Sequence, residues 1–351
     1  MNTLSTEPTA SLGKLFERFA EEECKNNSTL YYQLSKQIAG DEELLRLCVF
    51  VREGQPVPNI FLAAVHFLIL RSGQVPLAQY YPSVSGQQTK AIPFEMFKAF
   101  VLQQQQAIIA IIQHRIVQTN VLTRCNYLLP VFSNILSQED RPATIIDIGT
   151  SAGLALNFDH YEYYYNNEKI YGDSPVKLHC SIKGSKAPVV KHFKNPVKKI
   201  GIDQHLIDLK DADDLTWLQA LIWPDQTERF LMLKEALNAP ELSEITLVEG
   251  STIADCKKLI EAVDPSEMLI ISATHVLYQF TDKLLNEFYE LLAAVGQKRD
   301  FCFLSAEATD TIQSKYSIDN TAVVLTTYKD GKKKEILVAE TNGHGNWIKW
   351  I

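Results

Sequence analysis

The residues best suited to chemistry lie in the run Ile145-Ile146-Asp147-Ile148-Gly149-Thr150-Ser151-Ala152-Gly153-Leu154. A β-branched apolar stretch ends in an acid, turns through glycines and passes into a helical pattern. Glycine permits the tight turn and lets backbone come close to a ligand, and amides at the start of the next helix can face that ligand. Dinucleotide sites use Gly-x-Gly-x-x-Gly, where the second glycine makes room for a pyrophosphate. Here Ser151 takes that place and the spacing is Asp-x-Gly-x-x-x-Gly, which argues against a nicotinamide cofactor. On the functional reading Asp147 orients the loop or accepts from a ligand's ammonium group, and Gly149 and Gly153 are where backbone approaches it. The plain alternative is a strand–turn–helix junction used only for packing.

Further candidates stand at the ends of other apolar runs. Asp203 closes Lys198–Ile202, and an acid in that position can accept hydrogen bonds from ribose hydroxyls. It follows Gly153 at more than the usual ~20 residues, so an insertion around residues 163–194 is expected. Ser272, Thr274 and His275 follow Met268–Ile271, and His275 is a candidate proton acceptor or an ordinary hydrogen-bonded histidine. Arg124, just before the first strand with Gln118, Thr119 and Asn120, carries a planar fork suited to a carboxylate. These groups could equally cap a helix junction. Tyr161 heads a tyrosine cluster that either lines a substrate pocket or packs half-buried.

Several chemistries lack their residues. There is no His-Glu-x-x-His, no Cys-x-x-Cys and no Gly-Lys-Ser/Thr phosphate loop, so no metal is expected. The 34 Lys and Arg against 42 Asp and Glu give a net charge of −8, the wrong sign for a partner of nucleic acid. Cys24, Cys48, Cys125, Cys180, Cys256 and Cys302 lie far apart and read as reduced, buried thiols of a cytoplasmic protein. The N-terminal residues show no secretory pattern, and the greasiest stretch, Ile60–Leu70, is about half the ~20 residues a membrane span needs. No membrane partner is expected.

The elements that must position these residues fall into two textures. Residues 1–135 read as an all-helical lobe: Leu12, Leu15, Phe16 and Phe19 share one helix face, and Leu30–Ile38, Glu42–Val51, Ile60–Arg71 and Phe94–Gln118 follow similar patterns. The polar stretch Ser137–Pro142 marks a boundary. Beyond it, over residues 136–351, short runs at Ala143–Ile148, Lys198–Ile202, Ile245–Val248, Met268–Ile271 and Phe301–Leu304 alternate with helical segments, the signature of a mostly parallel sheet. Ala322–Tyr328 and Glu335–Glu340, joined through Asp330-Gly331, predict a C-terminal antiparallel hairpin.

The Asp147–Gly153 loop resembles the first motif of class I S-adenosyl-L-methionine-dependent methyltransferases, and the terminal hairpin resembles the reversed pair that ends their sheet. Over most of its length the chain also resembles an uncharacterised bacterial family, domain of unknown function 2332. The segments that carry this are Gln118-Thr119-Asn120 with Arg124, Asp147–Gly153 with Asn157-Phe158-Asp159, and Gly172-Asp173-Ser174-Pro175. They continue with Gly201-Ile202-Asp203, Trp223-Pro224-Asp225-Gln226 with Arg229, and Gly343-His344-Gly345-Asn346-Trp347. The resemblance implies an α/β, Rossmann-like methyltransferase core plus the N-terminal helical lobe, but no established reaction. It implies S-adenosyl-L-methionine as cofactor, held by Asp147, Gly149, Ser151, Gly153, Asp203, Ser251 and Arg124. Asn120, Tyr161, Ser272 and Thr274 then face a small or medium-sized substrate, with His275 as the catalytic candidate. Ser251 stands where relatives read an acid, and Leu206 where they read proline. The competing expectation is a non-catalytic, methyltransferase-like module that binds a nucleotide or a protein.

Overall fold

The computed structural model describes residues 7–87, 91–118, 120–308, 316 and 320–351. The chain divides into two compact units, one formed by Met1–Thr119 with Asp208–Lys234 and the other by Asn120–Ile207 with Glu235–Ile351.

The first unit is helical. Helices Glu7–Arg18, Thr29–Ile38, Glu42–Cys48 and Val57–Ser72 bury Phe16, Leu34, Leu44 and Phe61, which the periodicity places on inner faces. Phe94–Gln118, expected as one helix, is two: Phe94–Gln103 and Gln105–His114, with Gln104 between them at φ −98°, ψ 12°. The glutamine tract buries no apolar side chain that would tie both halves to one axis. Helix Ala212–Ala220 joins this unit from much later in the chain, with Trp217 buried against Phe67 and its indole N–H donating to Ile116 O.

The Trp223-Pro224-Asp225-Gln226 segment has a structural task here. Trp223 packs on Phe19 and Tyr31. Asp225 accepts from Ser28 Oγ at 2.6 Å and from Leu30 N at 3.1 Å, so it completes the N-terminal cap of helix Thr29–Ile38. Asp225→Ala is expected to cost about 2 kcal/mol, the loss of one charged cap interaction, read as a lowered Tm. An unchanged Tm would refute this role.

The second unit holds one eleven-stranded sheet. Its strands are β1 (Ala143–Ile148), β2 (Glu162–Tyr165), β3 (Glu168–Tyr171), β4 (Lys177–Ile182), β5 (Lys198–Asp203), β6 (Ile245–Glu249), β7 (Met268–Thr274), β8 (Phe301–Ala308), β9 (Thr321–Lys329), β10 (Lys332–Thr341) and β11 (Trp347–Trp350). The order is β3-β2-β4-β11-β10-β9-β8-β7-β1-β5-β6. From β6 through β5, β1 and β7 to β8 every pairing is parallel. Strand β1 is buried along its whole length, as a central parallel strand must be. β9 then runs antiparallel to β8, and the β9–β10 hairpin turns at Asp330-Gly331, both with positive φ.

Two boundaries differ from the sequence reading. Helix Cys125–Leu136, placed above in the helical lobe, belongs to the sheet unit: Asn126 Nδ2 donates to His179 O and Gly345 O, and Tyr165 OH donates to Asn126 O. Residues 208–234, placed in the α/β part, belong to the helical unit. Periodicity gives the buried face of a helix but not what covers it. The insertion around 163–194 supplies β4 and most of β2 and β3, which extend the sheet by parallel pairing of β4 with β11. No helix among the described residues is long and apolar enough to cross a membrane.

Candidate functional site

In an open parallel sheet the ligand crevice lies outside the carboxyl ends of the strands, where the strand order reverses. That reversal falls between β1 and β7, the two neighbours between which the connections change direction. A cleft of about 140 Å³ opens there. Ile148, Ile202, Ile253, Val276, Phe280 and Leu284 make apolar walls, and polar groups come from Asp203, Gln204, Ser251, Thr252 and Gln279. An apolar slot with a few placed polar groups is the usual form of a small-molecule site.

The glycine loop forms one side. Gly149, Ser151 and Gly153 all have positive φ, at 72°, 53° and 74°. For the serine this conformation is costly, about 1–2 kcal/mol, and two contacts hold it. Ser151 N donates to Asp203 Oδ2 at 2.8 Å, and Asn120 Nδ2 donates to Ser151 Oγ at 3.0 Å. The other loop amides are also occupied: Gly149 N and Thr150 N donate to Ile202 O, Ala152 N to Asn120 Oδ1 and Gly153 N to Thr150 O. No anion cradle is left open, because Asp203 is itself the loop's anion. A phosphate would have to displace these bonds.

The predicted residues therefore separate. Gly149, Asp203 and Ser251 line the cleft. Asn120 is a loop clamp, and Gly153 serves packing, since a Cβ there would meet Leu247 Cδ2 at 2.9 Å. Tyr161 is buried with its hydroxyl on Leu154 O, so it supports the loop from within the core. Ser272 is buried and donates to Asp147 Oδ1 at 2.6 Å, while Thr274 is half-buried at the end of β7. Thr119 lies outside the described residues.

Asp147 is the buried acid of β1. Burial raises its carboxyl to about 6, with the Asp203 charge adding and the Ser272 hydrogen bond and the Arg124 charge opposing. Arg124 donates from Nε to Gly343 O at 3.1 Å, and its charge also reaches Glu307 and His275. His275 begins the turn after β7 in a left-handed conformation, φ 52°. Burial, then the Arg124 and His344 charges, push its imidazole down to about 3. At neutral pH the ring is uncharged and a weak base, so it suits hydrogen bonding better than proton abstraction. Its Nε2 is buried without a hydrogen-bond partner among the described residues. No group of three or more metal-ligating side chains occurs among the described residues.

The closing Gly343-His344-Gly345 segment packs on the stretch that carries Arg124. Thr123 Oγ1 donates to His344 O, and Gly345, at φ 68°, leaves no room for a Cβ beside Arg124 Cα, 3.0 Å away. Motifs from both ends of the sheet unit thus meet at one arginine. A family model described as an uncharacterized protein conserved in bacteria, DUF2332, matches residues 13–350. The chain belongs to this family. No curated protein matches it.

In this DUF2332 member the site also holds residues that the sequence reading did not single out. Val276, Gln279 and Phe280 line the cleft, and Glu307, near the end of β8, is wholly buried and accepts from Val276 N and Leu277 N. Glu307 carried the same signal as Asp147, an acid closing an apolar run.

Proposed function

We propose that this DUF2332 protein binds S-adenosyl-L-methionine in the cleft beside the glycine loop and transfers its methyl group to a small or medium-sized acceptor. The observation that carries this reading is the cleft itself: apolar walls and an acid at the end of β5, beside a glycine loop whose amides are already bonded. Such a slot suits an uncharged nucleoside better than a pyrophosphate. On this reading Asp203, Ser251 and Thr252 of the lining take the ribose and base edges, and Ile202, Ile253 and Phe280 the faces of a ring. Asp147 and Arg124, expected on the ligand's ammonium and carboxylate groups, do not line this cleft. The sulfonium supplies an already activated methyl group, so the chain's own task is to align the acceptor and exclude water. The parallel strands flanked by an antiparallel hairpin support a Rossmann-like, methyltransferase-like core.

The second reading, a non-catalytic binding module, draws on the weak basicity of His275. Calorimetry and thermal shift with S-adenosylmethionine, S-adenosylhomocysteine and NAD, side by side, test the cofactor reading. A ligand that binds only the folded protein stabilises it by about 2.7 kcal/mol at 100 times its Kd. Both adenosyl compounds are expected to raise Tm and NAD to leave it unchanged. No binding of either adenosyl compound at millimolar concentration would overturn the cofactor reading.

A further inference from the structure

We infer that Glu307 is the positioning residue of the cleft: it holds the turn that brings Val276, Gln279 and Phe280 to the ligand. The inference rests on the proposed function only for the ligand half of its test. Glu307 is wholly buried near the end of β8, opposite Ala322 of β9. Its Oε1 accepts from both Val276 N and Leu277 N, each at 2.9 Å. These are the first amides after His275, whose own N–H stays in the sheet by donating to Ala306 O at 2.8 Å. The chain thus leaves β7, reverses through a strained residue and is caught at once by Glu307. Val276 in turn packs on Gly149, where a Cβ would lie 2.7 Å from the valine Cβ. One carboxyl group therefore sets both the cleft wall and its clearance from the glycine loop.

The bonding has a further consequence. Both amides use Oε1, and Oε2 is buried with no hydrogen-bond partner among the described residues. A neutral carboxylic acid fits that arrangement, its carbonyl oxygen accepting both amides. Burial pushes the Glu307 carboxyl up to about 7, against the backbone amides and the Arg124 charge, which lower it. The other titratable groups facing it are Tyr127 and Tyr289, both of which feel its charge, with His275 at the start of the turn it holds. Because the closed turn raises this pKa above the ordinary glutamate value, the closed form binds the proton more tightly than an opened, hydrated one. The stabilisation is complete below the ordinary value and is lost as pH rises through about 7. Above that pH the turn opens more often and the cleft loses its wall.

Hydrogen exchange of the 275–280 segment at pH 6 and pH 8, corrected for intrinsic rates, tests this in the full chain. Protection in the wild type is expected to fall by about tenfold between pH 6 and pH 8, most of it below pH 7 because the closed turn has already released its proton above that value. Glu307→Gln, which keeps the acceptor oxygen and cannot ionise, should hold the pH 6 protection at both values. Glu307→Ala should lose protection at both. Affinity for S-adenosylhomocysteine should follow the same three patterns. Equal pH dependence in wild type and Glu307→Gln, or an alanine variant as protected as wild type, overturns the role of Glu307. If exchange behaves as expected while no adenosyl compound binds at either pH, the cofactor reading fails and the positioning role stands.

Discussion

Replacing Lys199 by methionine is expected to destabilise the sheet unit by about 3–5 kcal/mol, the cost of stranding a buried charge. Lys199 lies in β5, and its Nζ meets Asp159 Oδ1 at 2.5 Å. The lysine side chain is 6% exposed and that of the aspartate is not exposed at all. Asp159 Oδ2 has no hydrogen bond among the described residues, so the lysine is the carboxylate's main compensation. His160 Nε2 lies 3.7 Å from that oxygen, beyond hydrogen-bond distance. The pair ties the segment that follows the glycine loop onto the sheet, between the registers of Ile145 and Ile245. An intact buried pair is worth little over an apolar replacement of the same shape, so Lys199→Met with Asp159→Leu should recover most of the loss. Urea unfolding of the three variants gives the answer. A single variant within about 1 kcal/mol of wild type would show that water already reaches Asp159.

What the sequence made legible was local. The run Ala143–Ile148 reads as a strand because it is β-branched or apolar apart from Asp147, and the strand has those bounds. The Asp330-Gly331 turn is as readable, since only a few residue types accept positive φ at both positions. Strands β2, β3 and β11 were not expected as strands. They are short, and Glu162–Tyr165 and Trp347–Trp350 show no clear alternation against a turn signal. β2 and β3 pair as a tight hairpin through Asn166-Asn167, both at positive φ, whereas β11 pairs with a strand far off in the chain, Ile348 with Ile182.

The site divides along the same line. Asp147, Gly149 and Asp203 could be found because a strand end, a glycine and an acid lie together in sequence. What each does could not, because it depends on a partner from elsewhere. Asp203 reads as a generic ligand acceptor until Ser151 N is seen on its Oδ2. Asn120 looks like a substrate contact until its amide is found bridging Ser151 and Ala152. Glu307 differs from Asp147 only in what covers it. The turn after β7 gives it two amides, and nothing in Phe301–Ala308 announces that.

Gly149→Ala is expected to abolish ligand binding in the cleft, whereas Gly153→Ala is expected to spare it. Both glycines sit at positive φ, so each alanine carries the left-handed penalty of about 1–2 kcal/mol. They differ in what the new methyl group meets. At Gly149 it would lie 2.7 Å from Val276 Cβ, an atom attached directly to the backbone of the turn that Glu307 holds. Relief requires that turn to move, and the turn carries Gln279 and Phe280 of the cleft wall. At Gly153 the nearest atom is Leu247 Cδ2 at 2.9 Å, the end of a side chain that can rotate aside, and Gly153 does not line the cleft. The two variants should therefore unfold at similar temperatures, with Gly149→Ala somewhat lower. In titrations with S-adenosylhomocysteine they should part by at least about a hundredfold in Kd, equivalent to roughly 2.7 kcal/mol. The reverse ranking, or equal loss in both, would mean that the ligand approaches the loop from the Gly153 side and that the Val276–Phe280 turn is not its wall.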